Sequence, residues 1–162
     1  MKKCFFDLRT KIPALLLVCA ALTAPLQASA TSSFELFGEE VVLSARQHLG
    51  LPYVWGGEDP RRGFDCSGLI KYTFQEFNVQ MPHRADLQYQ YGEPVPREQL
   101  EPGDLVFFST GGYPIGHVGL YAGKGEFIHA PRRGRPVTVD SINSGYYSQR
   151  FVGARRVRPE FF

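Results

Sequence analysis

The sequence predicts an α+β domain in which two helices come first and an antiparallel sheet of short strands follows. Three observations carry that prediction. Apolar residues recur every three to four positions over 34–49 and again from 65 to 77, the spacing of one helix face. From residue 105 onward they gather instead in short runs separated by Gly, Pro and charge, as strands and turns require. Finally, 162 residues with 43% hydrophobic and 21% charged content fill one core and leave no room for a second. Helices segregated ahead of a run of strands pack against one antiparallel sheet.

Residues 1–30 stand apart from this domain. Lys2, Lys3, Arg9 and Lys11 make a basic start, Ile12 to Leu26 is apolar apart from Thr23 and two prolines, and Ala28-Ser29-Ala30 fits a signal-peptidase site. A cleaved signal peptide over 1–30 is expected, with a mature domain over 31–162 that is periplasmic or secreted. A membrane span is disfavoured because the apolar stretch is short and broken by Pro13 and Pro25. Lipid anchoring at Cys19 competes, but Leu16-Leu17-Val18 is a poor lipobox, lacking a small residue before the cysteine.

In the mature chain, Thr31-Ser32-Ser33 offers N-caps, and Ser32 with Glu35 has capping-box spacing. The helix that follows presents Phe34, Phe37, Val41, Ala45 and Leu49 and stops at Gly50 and Pro52. Residues 51–64 carry the Gly, Pro and charge of a surface loop. Asp65 caps a second helix with Leu69, Ile70, Phe74 and Phe77 on one face and Asn78 as its stop. A short helix is expected within 84–91 and a turn at Glu101-Pro102-Gly103-Asp104. Strands follow at 105–108, 117–121, 126–130, 136–140 and 151–157.

Charge excludes one partner class. Of 18 Lys+Arg and 16 Asp+Glu, the leader holds Lys2, Lys3, Arg9, Lys11 and Asp7, so 14 basic and 15 acidic residues remain. A near-neutral domain is no nucleic-acid binder on charge grounds. Its basic residues concentrate at the end: from Lys124 onward eight face only Glu126, Asp140 and Glu160. Such an end suits an anionic polymer or simply a solvated face.

Once Cys4 and Cys19 are set aside, Cys66 is the one remaining thiol, and it falls in the first turn of the second helix. An unpaired thiol in an exported protein is either buried or used. The positive end of a helix favours the thiolate, and the Cys66 backbone N–H suits a developing oxyanion. A base is needed, and the histidines are His48, His83, His117 and His129. His48 fits a favourable charge late in the first helix. If Ala122-Gly123-Lys124 forms a three-residue loop, His117 faces His129 directly; a two-residue loop puts them on opposite faces. In the first case His129 orients His117, which takes the thiol proton. The same Cys66, His117 and His129 are also the right types for a three-ligand zinc site, although no short-range CxxC or HExxH pair supports it.

Pro52-Tyr53-Val54-Trp55-Gly56-Gly57, Phe64-Asp65-Cys66-Ser67-Gly68-Leu69, Pro102-Gly103-Asp104-Leu105-Val106-Phe107-Phe108, His117-Val118-Gly119-Leu120-Tyr121 and Ile128-His129-Ala130 follow in order. In this arrangement the chain closely resembles the NlpC/P60 family of cell-wall cysteine peptidases, from about residue 38 to 158. The resemblance implies a papain-like fold, no cofactor and no metal, and hydrolysis of peptide bonds in peptidoglycan stem peptides by a monomer. It implies Cys66 as nucleophile, His117 as base and acid, His129 as the orienting third member, and Tyr53, Asp65 and Ser67 as substrate contacts.

One segment departs from the family pattern. Where relatives often show Pro-Arg followed by Thr or Ser, this chain has Pro82-His83-Arg84-Ala85, so either His83 replaces the arginine or Arg84 reaches the same place one position later. A guanidinium grips a carboxylate in bidentate fashion, which favours Arg84 as the substrate contact. A non-catalytic peptidoglycan-binding member, and amidase or acyl-transfer chemistry on the same residues, are the competing functions.

Overall fold

A computed structural model of the chain describes residues 28–158. The expected leader lies outside those residues except for its last three, which open helix α1 (Ala28–Arg46). The helix therefore begins before the expected cap. Alanine is the strongest helix former, so Ala28 and Ala30 carry the helix back past Ser32 and Glu35, which lie inside it. Val41, Val42 and Ala45 turn inward, and the Phe37 ring meets Phe74 and Phe77 at 6.3 and 5.6 Å. At Gly38 a Cβ would lie 2.1 Å from the Pro102 carbonyl oxygen, so only glycine lets α1 rest on the 101–104 turn. The helix stops at Arg46, short of Leu49.

Residues 51–64 are more ordered than a surface loop. β1 (Glu58–Asp59) and β2 (Gly63–Phe64) form an antiparallel ribbon, and Tyr53 bridges to the fully buried Phe64. Helix α2 (Cys66–Gln75) follows, burying Leu69, Ile70 and Phe74, and the chain turns at Asn78, whose φ is 62°. Helix α3 (Ala85–Gln88) is a single turn inside the expected segment. Its Gln88 is buried and donates to the Ser67 and Pro82 carbonyls at 2.9 and 2.7 Å, tying the 82–88 segment to the start of α2.

The sheet comprises β3 (Glu93–Val95), β4 (Leu105–Thr110), β5 (Tyr113–Gly123), β6 (Glu126–His129), β7 (Thr138–Ser141) and β8 (Phe151–Arg156). Its order is β3-β8-β4-β5-β6-β7, with every pair antiparallel. The edge strand β3 and the one-turn helix α4 (Gly145–Ser148) were not expected from the sequence. On one face Leu105, Phe107, Val118, Leu120 and Ile128 pack with Leu69, Ile70 and Phe74 of α2 and with α1. The other face buries Val106, Phe108, Tyr121 and Phe127 with Ile142 and Tyr147. Asp104, fully buried in the expected turn, receives both Nε and Nη2 of Arg156 at 2.8 and 2.9 Å, which fastens β8 to the start of β4.

The β5–β6 hairpin corrects the expected register. Its turn is the two-residue Lys124-Gly125, with φ of 54° and 77°, and Gly123 pairs with Glu126. That turn alone would separate the two histidines. A bulge between Tyr121 and Gly123 shifts the pairing by one, so that Leu120 faces Ile128. Continuing this register sets Gly119 opposite His129. His117 and His129 thus share a face as diagonal neighbours rather than directly opposed residues.

Candidate active site

The start of α2 is organised by one carboxylate. Asp65 Oδ1 accepts from the Gly68 N–H at 2.7 Å, the N-cap bond, and from Ser67 Oγ at 3.1 Å. His83 Nε2 lies 3.0 Å from the same oxygen, and Oδ2 accepts from the Gly56 N–H at 2.9 Å. Ser67 is consequently buried rather than solvated. Cys66 follows at the first helical position, where the N–H groups of Val118, Ser67 and Cys66 itself are directed at its sulfur. Val118 comes from β5, so the strand that carries His117 also meets the thiol.

Burial nevertheless pushes the Cys66 thiol up to about 11, with the Asp65 carboxylate adding to the rise and the three N–H groups only partly offsetting it. This runs against the expected preference for the thiolate at a helix end: desolvation of the sulfur and a negative neighbour both act against the charged form.

The two histidines lie in an aromatic enclosure of Phe108, Phe127 and Tyr147, and Asp65 at the start of α2 is near enough to act on the charge of His117. His117 Nε2 is 2.7 Å from His129 Nδ1, and His129 Nε2 is 3.0 Å from Asp140 Oδ2. His129 is fully buried, with Phe127 and Tyr147 rings at 4.5 and 5.3 Å. Burial pushes His117 down to about 3, helped by His129, and pushes His129 down to about 3, helped by Arg135. Both rings are neutral near pH 7. Both nitrogens of His129 are thus engaged, one by His117 and one by Asp140.

This burial has a consequence for stability. Unfolded histidine protonates near 6.5, whereas these two resist protonation until about 3. Between those values the unfolded state binds more protons. Their contribution is complete above pH 6.5 and is lost as pH falls toward 3, at up to about 1.4 kcal/mol per pH unit per histidine. Urea denaturation from pH 7 to 4 should show a shallower fall for His117→Asn/His129→Asn than for the unaltered protein. Parallel curves would show that the pair titrates normally.

Tyr53 belongs to the same cluster. Burial, then Cys66 and Asp65, push its phenol up to about 12, while Arg133 from the loop after β6 pulls the other way. Tyr53 therefore stays a protonated donor beside the sulfur. Arg84 is not part of the cluster: its side chain is 67% exposed and pairs with Asp86 at 2.5 Å. His83 takes the place beside Asp65, held from its other nitrogen by Glu58 at 3.0 Å. Of the two candidates in that segment, His83 is the one the structure brings to Asp65. His48 is not a helix-end charge either. It is buried against Phe64 and Tyr72 at 5.1 and 5.2 Å, and burial lowers its pKa.

The sequence did not place Asp140 in the site, where it meets His129 Nε2. The signal available was alternation along β7, which sets Thr138 and Asp140 on one face, with Thr138 paired to His129. A concavity of about 460 Å³ lined by Glu58, Arg61, Lys71 and Gln75 contains none of Cys66, His117 or His129.

The family model described as NlpC/P60 matches residues 50–156. The murein DD-endopeptidase MepH of Escherichia coli is 44% identical over 68% of this chain and 42% of its own length. A probable endopeptidase of Haemophilus influenzae is 44% identical over 72% of this chain and 73% of its own. An NlpC/P60 family protein of Bacillus cereus superposes with a TM-score of 0.71 at 35% identity, covering 75% of this chain and 40% of that structure. The NlpC/p60 domain of the peptidoglycan hydrolase SagA gives 0.64 at 34% identity, covering 73% and 97%. This chain spans about a quarter to a half of the length of the first three curated relatives it matches. With the family model covering the segment from Gly50 to Arg156, and with helices packed on an antiparallel sheet in the papain-like α+β manner of these structures, the chain belongs to the NlpC/P60 family.

Proposed function

We propose that this protein is an exported cysteine peptidase that hydrolyses peptide bonds in peptidoglycan stem peptides. The observation that carries the reading is the meeting of α2 and β5: Val118 lies close enough to the Cys66 sulfur to act on its charge, and the adjacent His117 is hydrogen-bonded to His129. In this reading Cys66 is the nucleophile, His117 the base and His129 its orienting partner. Names borne by similar proteins, a murein DD-endopeptidase and a gamma-DL-glutamyl hydrolase of Bacillus subtilis at 42% identity, support the substrate class.

The neutral thiol and neutral imidazole define the order of events. As Cys66 Sγ bonds to the peptide carbonyl carbon, its proton passes to His117, so no resting thiolate is needed. The oxyanion formed is within the donor chemistry of the Tyr53 phenol and the Cys66 N–H. His117 then returns the proton to the departing amine as the C–N bond breaks, leaving a thioester. Water, giving a proton to His117, attacks the thioester and releases the acid and the thiol. The exposed Arg133 beside Tyr53 suits the free carboxylates of a stem peptide.

Digestion of purified sacculi, with released peptides identified by mass spectrometry, tests the activity. It also distinguishes a D-Glu to diamino acid bond within one stem from a D-Ala to diamino acid cross-link. Intact sacculi after prolonged incubation would leave a peptidoglycan-binding role. Export rests on residues 1–30; among the described residues no helix is long and apolar enough to cross a membrane. The processed protein should begin at Thr31, shortening α1 by three residues, whereas a lipid-modified Cys19 at the N-terminus would show anchoring.

A further inference from the structure

We propose that Asp140 sets the order of protons along the histidine pair and thereby leaves the basic nitrogen of His117 free for Cys66. This inference rests on the peptidase reading and assigns a positioning role within it. A carboxylate has acceptors only, so the 3.0 Å contact requires the proton of His129 to sit on Nε2. A neutral imidazole has one N–H, so His129 Nδ1 carries the lone pair. The 2.7 Å contact then requires His117 Nε2 to donate. His117 Nδ1 is left with a lone pair and hydrogen-bonds to no other side chain among the described residues. One acceptor at the far end of the chain fixes which nitrogen is basic at the near end.

Arg135 makes the choice one-sided. Its Nη1 and Nη2 lie 3.4 and 3.5 Å from Asp140 Oδ2 and Oδ1, the first of these being the oxygen that also receives His129. A guanidinium has donors only. With Asp140 truncated, Arg135 is placed to donate to His129 Nε2, which would force the proton to Nδ1, make His117 Nε2 an acceptor and protonate His117 Nδ1. That order disarms the base. Asp140 also offers negative charge to the imidazolium formed during the reaction, a second contribution in the same direction.

The test uses Asp140→Ala, Asp140→Asn and Asp140→Ala/Arg135→Ala in the mature chain with ¹⁵N-labelled histidine. Ring-nitrogen shifts at pH 7 report the tautomers independently of activity, and kcat and KM are measured on one defined muropeptide. We expect Nε2–H on both rings in the unaltered protein and Nδ1–H on both in Asp140→Ala. In that variant kcat should fall by about 100-fold or more with KM changed less than about threefold. Removing Arg135 as well should restore kcat about tenfold relative to Asp140→Ala. Asp140→Asn, which keeps the shape and also gains a donor, covers the case in which the alanine variant fails to fold, and should show the reversed tautomers. Retained Nε2–H on both rings in a folded Asp140 variant, or a kcat within threefold of the unaltered protein, would overturn the proposal. If the unaltered protein cleaves no muropeptide the peptidase reading fails, while the ring-nitrogen shifts still decide whether Asp140 orders the protons.

Discussion

Cys66→Ser is expected to abolish peptidoglycan hydrolysis and to leave the protein folded. Oxygen is close in size to sulfur, and the hydroxyl can accept from the same Val118, Ser67 and Cys66 N–H groups, so stability should change by less than about 1 kcal/mol. The chemistry does not survive so easily. A thiol pushed up to about 11 is still within a general base's reach when the proton moves with the attack, whereas an alcohol is a far weaker acid. Turnover on sacculi should fall by about a thousandfold or more. Iodoacetamide should inactivate the unaltered protein and chelators should not. The direction of the pH profile separates this reading from a preformed thiolate. Alkylation by iodoacetamide in the absence of substrate should be slow near pH 7 and accelerate as pH rises toward the thiol's value, because only the ionised form reacts. Fast alkylation independent of pH between 6 and 8 would show a resting thiolate and sink the concerted mechanism.

What the sequence made legible was the chemistry fixed by short-range rules. Asp65 caps Gly68 three residues on, and that local bond places Cys66 at the helix start whatever the rest of the chain does. Asn78 ends the helix turn in the left-handed region for an equally local reason. The histidines' common face, by contrast, hangs on one bulged residue, Ala122, between Tyr121 and Gly123, and nothing in Tyr121-Ala122-Gly123-Lys124 announces a bulge rather than a longer loop. Asp140 reaches His129 only through the register of β6 on β7, which alternation alone does not specify. β1 and β2 are two residues each, too short to show any period. The desolvation acting on the Cys66 thiol was not legible, because it depends on β5, which lies far along the chain from the local helix-end rule.

Asp65→Ala should be the most destabilising substitution at the site, because four polar groups converge on one carboxylate that is only 14% exposed. Truncation removes the N-cap, worth about 0.5–2 kcal/mol. It also takes the acceptor from the buried Ser67 hydroxyl, at roughly 1–3 kcal/mol, whereas the exposed Gly56 N–H is met by water and His83 keeps Glu58. A net loss of about 2–4 kcal/mol is expected. The isosteric Asp65→Asn separates structure from substrate binding. Its oxygen can keep the Gly68 and Ser67 bonds, but its amide nitrogen opposes the Gly56 N–H donor, so about 1–2 kcal/mol should be lost. A carboxylate offers about four acceptor sites; Ser67, Gly68 and His83 crowd Oδ1 and Gly56 takes one site of Oδ2, leaving at most one for a stem peptide. Asp65→Asn should accordingly lower kcat, by loosening the helix start that aims Cys66, with KM on a muropeptide changed less than about threefold. A fully stable Asp65→Asn protein with KM raised more than tenfold would make the carboxylate a substrate contact, as the family resemblance implies.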